Sequence, residues 1–201
     1  MTENLIKLIE EEKIYPIIRS NDEKKALDIA KALFDGGIKV LEMNVESSHI
    51  FRAIEKASEF VNVCAGGIIT SIQANAAIQS GAKVISSPIF SMNLVKLSKD
   101  CNIPYIAGTS TANEAYQAWK ARCKLIKIYP IAALGGAMYL EDLLRPMPFL
   151  NILPLGNVKL NEVQDYIKAG AKAVGVGRDF YHNLSFNEIT ASAKKIKEIL
   201  G

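Results

Sequence analysis

Apolar residues in this chain fall into two alternating kinds of segment. Short, nearly continuous apolar runs closed by Pro, Gly or Asn read as buried strands, and longer stretches with apolar residues at helical spacing read as amphipathic helices. Strands are expected over 14–19, 38–44, 61–66, 83–86, 103–107, 123–129, 149–153 and 173–176. Helices are expected from Asn21-Asp22 to Phe34 and over 47–60, 70–80, 92–99, 111–120, 136–144, 160–169 and 185–200, with one more at the N-terminus. The phrase Gly36-Gly37-Ile38-Lys39-Val40 recurs loosely as Ser80-Gly81-Ala82-Lys83-Val84 and as Ala169-Gly170-Ala171-Lys172-Ala173-Val174. Each is a helix stop, a short turn and a strand start, with Gly where a helix ends. Eight strands in such a repeat predict an α/β chain, a closed (β/α)8 TIM barrel with an extra N-terminal helix, as a single domain over 1–201. An open doubly wound sheet fits less well. Arg19-Ser20-Asn21-Asp22 stands where a Gly-rich dinucleotide loop would follow the first strand.

Composition narrows the function classes. The 201 residues carry a net charge of only +3, and the lysines sit beside acids, as in Glu10-Glu11-Glu12-Lys13. Such segments are solvated helix faces, so no nucleic-acid partner is expected. No apolar stretch is long enough to span a bilayer, and Met1-Thr2-Glu3-Asn4 leads into an acidic helix rather than a signal sequence, so no membrane association is expected. Cys64, Cys101 and Cys123 are too scattered for a disulfide framework or a metal site, which points to a reducing, cytoplasmic setting. His49 and His182 have no ligand spacing around them and read as surface or capping residues, and no metal or other cofactor is expected. Trp119 is expected to pack a helix against the barrel.

The candidate chemistry starts at Lys127, inside the run Cys123-Lys124-Leu125-Ile126-Lys127-Ile128-Tyr129-Pro130. A lysine is rare within a buried strand because burying an ammonium is costly. Burial favours the neutral amine, which can attack a carbonyl to form a Schiff base. Alternation puts Cys123, Leu125, Lys127 and Tyr129 on one face; the competing account is an edge lysine reaching for water. Glu42 is the second unusual residue, a carboxyl within or just past Lys39-Val40-Leu41. It is either paired with a buried cation or poised as an acid/base. Barrel enzymes work at the C-terminal ends of strands. There Arg19 is a candidate anion clamp or a partner for Glu42. Asn44 ends strand two, and Gly66-Gly67 ends strand three. The turns Gly156-Asn157-Val158 and Gly175-Val176-Gly177-Arg178 follow strands seven and eight, where helix N-termini often hold phosphate.

These motifs resemble the family of 2-keto-3-deoxy-6-phosphogluconate and 4-hydroxy-2-oxoglutarate aldolases over nearly the whole chain. The best matches are Gly36-Gly37-Ile38-Lys39-Val40-Leu41-Glu42, Ser87-Pro88, Ile106-Ala107-Gly108-Thr109-Ser110-Thr111 and Ile126-Lys127-Ile128-Tyr129-Pro130. The resemblance implies a metal-free class I aldolase and a homotrimer. Lys127 would be the Schiff-base lysine and Glu42 the general acid/base, with Pro88 lining the pyruvyl pocket and Tyr129 in the place of the usual aromatic of the substrate site. The substrate would be a 2-keto-3-deoxy acid, usually phosphorylated, cleaved to pyruvate and an aldehyde. The chain departs from the family's usual pattern at four places. Gly67 replaces a threonine, Glu46 stands where an arginine is frequent, Leu155-Gly156-Asn157 replaces Thr-Gly-Gly, and Arg178 replaces a small residue. They leave open a weakened paralogue that only binds a keto acid or sugar phosphate, and a phosphate-binding isomerase or epimerase.

Overall fold

The computed structural model describes residues 2–201. Eight parallel strands form the sheet: β1 (Ile14–Ile18), β2 (Val40–Asn44), β3 (Asn62–Gly66), β4 (Val84–Ser86), β5 (Tyr105–Thr109), β6 (Ile126–Ile128), β7 (Ile152–Pro154) and β8 (Val174–Val176). They pair in chain order from β1 to β7, and β8 lies beside β1. The remaining seam, between β7 and β8, is joined by a parallel bridge of Leu155 with Gly175 and by the Lys172 N–H donating to the Ile152 carbonyl at 2.9 Å. The expected (β/α)8 TIM barrel is the fold observed. All strands are buried along almost their full length, as a sheet covered on both faces requires.

The helices are α1 (Thr2–Glu12), α2 (Glu23–Asp35), α3 (Ile50–Ala57), α4 (Ser71–Gln79), α5 (Met92–Asp100), α6 (Ala112–Lys120), α7 (Ile131–Leu134), α8 (Gly136–Leu144), α9 (Val163–Lys168) and α10 (Phe186–Leu200). Local chemistry starts several of them. Asp22, Thr70, Ser91, Thr111 and Ser185 each accept a hydrogen bond from a backbone N–H of the first turn. This satisfies one of the donors that a helix start leaves unpaired.

Strand alternation divides the core in two. Outward residues such as Leu41, Met43 and Ile128 join the helices in a large outer layer. Inward residues Tyr15, Ile17, Val40, Cys64, Val84, Ile106, Leu125 and Leu153 fill the barrel. Ile6 and Ile9 of α1 belong to this inner cluster. The extra helix therefore closes the end of the barrel opposite the working strand ends.

Some boundaries differ from the sequence expectations. β6 begins only at Ile126, so alternation does not reach back to Cys123, which packs in the outer layer and not on the face of Lys127. Trp119 is 38% exposed and lies against Tyr116 and Phe149 outside the barrel, at ring distances of 5.8 and 4.6 Å. Phe149, expected in strand seven, is thus part of an external aromatic stack, and β7 starts at Ile152. The helix expected over 47–60 shortens to α3, with His49 at its cap position making no side-chain capping bond. The extra turn α7 directly after Pro130 was not expected.

Candidate active site

Lys127 of β6 and Glu42 of β2 come from opposite sides of the barrel and meet inside it. The Lys127 Nζ donates to Glu42 Oε2 at 2.9 Å and to Oε1 at 3.1 Å. Both side chains are almost completely buried. β6 is held so that Lys127 points inward: Lys127 stands beside Gly108 of β5 and Leu153 of β7, and the Thr109 hydroxyl donates to the Lys127 carbonyl at 3.1 Å.

The carboxylate has further donors. The Tyr15 hydroxyl of β1 reaches Glu42 Oε2 at 3.2 Å. The Asn44 amide, in the orientation that satisfies both neighbours, donates to Glu42 Oε1 at 2.9 Å and accepts from Arg19 Nε at 3.0 Å. Arg19 therefore acts on Glu42 through Asn44 rather than by a direct salt bridge. Burial, reinforced by Cys64 and the Glu42 carboxylate, pushes the Tyr15 hydroxyl well above the ordinary phenol range. Burial likewise pushes the neighbouring Cys64 thiol up. Both are held neutral.

One cavity opens onto this pair, and a second adjoins the first. The first, about 250 Å³, is lined by Arg19, Glu42, Asn44, Glu46, Gly67, Pro88, Lys127 and Tyr129, among others. The second, about 350 Å³, is lined by Gly156, Asn157, Lys159, Gly177, Arg178 and Asp179, and shares Arg19, Tyr129 and Leu155 with the first. The first contains the reactive pair; the second carries exposed cations. Arg178 is free of any ion pair among the described residues, whereas Lys159 faces Asp179 at 3.4 Å.

Of the residues singled out in the sequence, Lys127, Glu42, Arg19, Gly67, Pro88 and Tyr129 line the inner cavity, and Gly156, Asn157, Gly177 and Arg178 line the outer one. Gly66 lines neither. It sits behind Glu42, where an added Cβ would lie 2.2 Å from Oε1, so its lack of a side chain makes room for the carboxyl. Gly156 has φ +108°, and a Cβ there would lie 2.8 Å from Pro130 Cα. The turn after β7 leads into the 3-10 turn Leu160–Glu162, which runs straight into α9, and the turn after β8 into the isolated 3-10 turn Arg178–Phe180. The side-chain cations at these turns are Lys159 and Arg178. Tyr15 and Lys159 were not foreseen as site residues. Tyr15 alternates with Ile17 and Arg19 along β1, which was the available signal; nothing marked Lys159.

The model of the KDPG and KHG aldolase family matches residues 5–194. The chain belongs to this family. With it the chain is an aldehyde-lyase. Similar proteins include the 2-dehydro-3-deoxy-phosphogluconate aldolase of Pseudomonas aeruginosa, 29% identical over 80% of this chain and 74% of that one. The enzyme of the same name from Treponema pallidum is 25% identical over 98% of each. Among solved structures, the KDPG aldolase of Legionella pneumophila, with pyruvate captured as a covalent carbinolamine, superposes with a TM-score of 0.86 at 24% identity, covering 94% of this chain and 96% of that one. Of the positions read from the sequence as departures, Glu46 and Gly67 line the inner cavity, Asn157 and Arg178 the outer one, and Leu155 both. Among the described residues no group of three or more His, Cys, Asp or Glu side chains could hold a metal, and no helix is long and apolar enough to cross a membrane.

Proposed function

We propose that this family member is a class I aldolase that cleaves a 2-keto-3-deoxy sugar acid to pyruvate and an aldehyde, with Lys127 as the imine-forming amine and Glu42 as the general acid/base. The observation that carries this reading is the 2.9 Å contact of Lys127 Nζ with Glu42 Oε2 at a cavity wall. Passing one proton along that contact leaves a neutral amine, the form that attacks a ketone. Lys127 adds to C2 to give a carbinolamine. Loss of water, with a proton supplied by Glu42, leaves an iminium. Glu42, again a carboxylate, takes the proton of the C4 hydroxyl. The C3–C4 bond then breaks, the aldehyde leaves, and the electron pair flows into the iminium to form an enamine. Protonation at C3 and hydrolysis release pyruvate and restore the amine. A protein of the same fold holds pyruvate as a carbinolamine, which is the same first step.

The outer cavity supports a substrate with an anionic tail, most simply a phosphate, received by Arg178 and Lys159, with Arg19 between the two cavities. A homotrimer in the cytoplasm completes the proposal; light scattering of the native protein is expected to give three times the 22.0 kDa chain mass. The deciding experiment is incubation with pyruvate and borohydride. A reduced three-carbon adduct on Lys127 is expected by peptide mass. Absence of any adduct, with cleavage still measurable, would favour an imine-free cleavage. Absence of both adduct and cleavage would favour a barrel that only binds its ligand or an isomerase.

A further inference from the structure

We propose that Tyr15 is a positioning residue of this site, its hydroxyl holding the Glu42 carboxylate in working orientation while Lys127 is bonded to substrate. The proposal rests on the aldolase reading above. In the resting site Glu42 accepts from Lys127 at both oxygens, from Tyr15 at Oε2 and from Asn44 at Oε1. Imine formation changes this set. The nitrogen of Lys127 becomes bonded to a substrate carbon and keeps at most one N–H. The carboxylate that must then move protons loses its strongest restraint. Asn44 and Tyr15 remain, and they differ in kind. Asn44 lies two residues from Glu42 on the same strand, near the open end of the barrel. Tyr15 comes from the neighbouring strand and is fully buried in the inner core, its ring fixed among Ile17, Val40 and Cys64.

The hydroxyl itself calls for a role. A phenylalanine would fill the same space without placing a polar group inside the barrel, where an unpaired hydroxyl is costly. Here the group has two polar neighbours, Glu42 and Cys64, and both lie at the chemistry. The charged and titratable groups facing Glu42 are Lys127 from β6, Tyr15 from β1 and Cys64 from β3. Arg19 is one step removed through Asn44, and Glu46 lies on the rim of the same cavity. Since burial keeps Tyr15 and Cys64 protonated, Tyr15 acts on Glu42 as a donor and takes no proton from it.

The test uses two replacements of the same shape: Tyr15→Phe, and 3-fluorotyrosine introduced at position 15 alone, which makes the hydroxyl a stronger donor without enlarging the ring much. Three quantities are read on the native protein: borohydride trapping of pyruvate on Lys127, exchange of the pyruvate methyl protons, and the acid limb of the pH profile of that exchange. A donor to a carboxylate favours its charged form, so losing one moves the acid limb to higher pH and strengthening one moves it to lower pH. A hydrogen bond of ordinary net strength corresponds to a displacement of roughly 0.4–1 pH unit. Tyr15→Phe is expected to retain trapping within about twofold, slow exchange about tenfold with KM for pyruvate little changed, and move the limb upward. Fluorotyrosine is expected to move it downward. An acid limb that stays in place in both proteins would overturn the proposal, whatever happens to stability or rate, because a purely structural ring would behave that way. If Tyr15→Phe does not fold, the fluorotyrosine protein alone decides by the direction of its limb. Failure of wild-type protein to trap pyruvate would instead remove the aldolase reading beneath it.

Discussion

At the scale of residues, the site turns on how two opposite charges are kept inside a barrel. Removing one member of a buried pair leaves the other without its partner, at a cost of about 3–5 kcal/mol, whereas replacing both by neutral groups of similar volume is often close to neutral. Against a typical total stability of about 5–15 kcal/mol, the single loss is large. Lys127→Met is therefore expected to lower the urea midpoint markedly, and Lys127→Met combined with Glu42→Gln to recover most of it, while either protein loses at least about a thousandfold in cleavage. A double variant no more stable than the single would mean that the pair is not coupled in the fold. Gly66→Ala tests the neighbouring space. A methyl 2.2 Å from Glu42 Oε1 must displace the carboxyl, so proton exchange on pyruvate should fall at least about tenfold while imine trapping persists. Lys127 and Glu42 were legible in the sequence because each breaks the hydrophobic pattern of its strand. Their contact was not, since the pattern gives the face a residue is on but not what stands across a barrel 85 positions away. Gly66 was legible as a glycine at a strand end, and the reason for it appears only once the carboxyl has a position.

At the scale of elements, strands and helices followed from periodicity wherever a turn residue or cap marked the boundary. Misplacements came where an apolar side chain served something other than its own element. Phe149 and Trp119 stack outside the barrel, and Cys123 lies just before β6 begins. The loops after β7 and β8 matter more for function. The first ends in a 3-10 turn continuous with α9 and the second in an isolated one, and the side-chain cations they turn to the outer cavity are Lys159 and Arg178. A charge-assisted hydrogen bond contributes roughly 1.5–3 kcal/mol, or about tenfold to a hundredfold in affinity. Arg178→Ala is expected to weaken phosphorylated substrates by that factor and leave unphosphorylated ones and pyruvate trapping unchanged. Equal effects on both substrate types would show that Arg178 faces solvent. A rise in activity would show that it obstructs the cavity and that the natural substrate is smaller.

At the scale of the whole molecule, burial sorts the three cysteines. Cys101 is exposed, while Cys64 lies in the inner core and Cys123 in the outer one. Burial raises the Cys123 thiol to about 11 and the Cys64 thiol further. The reactive form is the thiolate, and burial disfavours it. At pH 8 one thiol should react rapidly with an aromatic disulfide reagent in native protein and three after denaturation; fast labelling of Cys64 in the native state, read by peptide mass, would show that the barrel opens. The placement of Lys127 and Glu42 across the lumen has one more consequence. Glu42, Tyr15 and Cys64 all belong to the first four strands, and Lys127 to the last four. A cut at the exposed turn around Asn102 would yield two halves, one with the amine and one with the acid/base, neither able to turn over substrate. Recovered cleavage on mixing would then count the rejoined molecules, making the enzyme a split reporter of its own assembly.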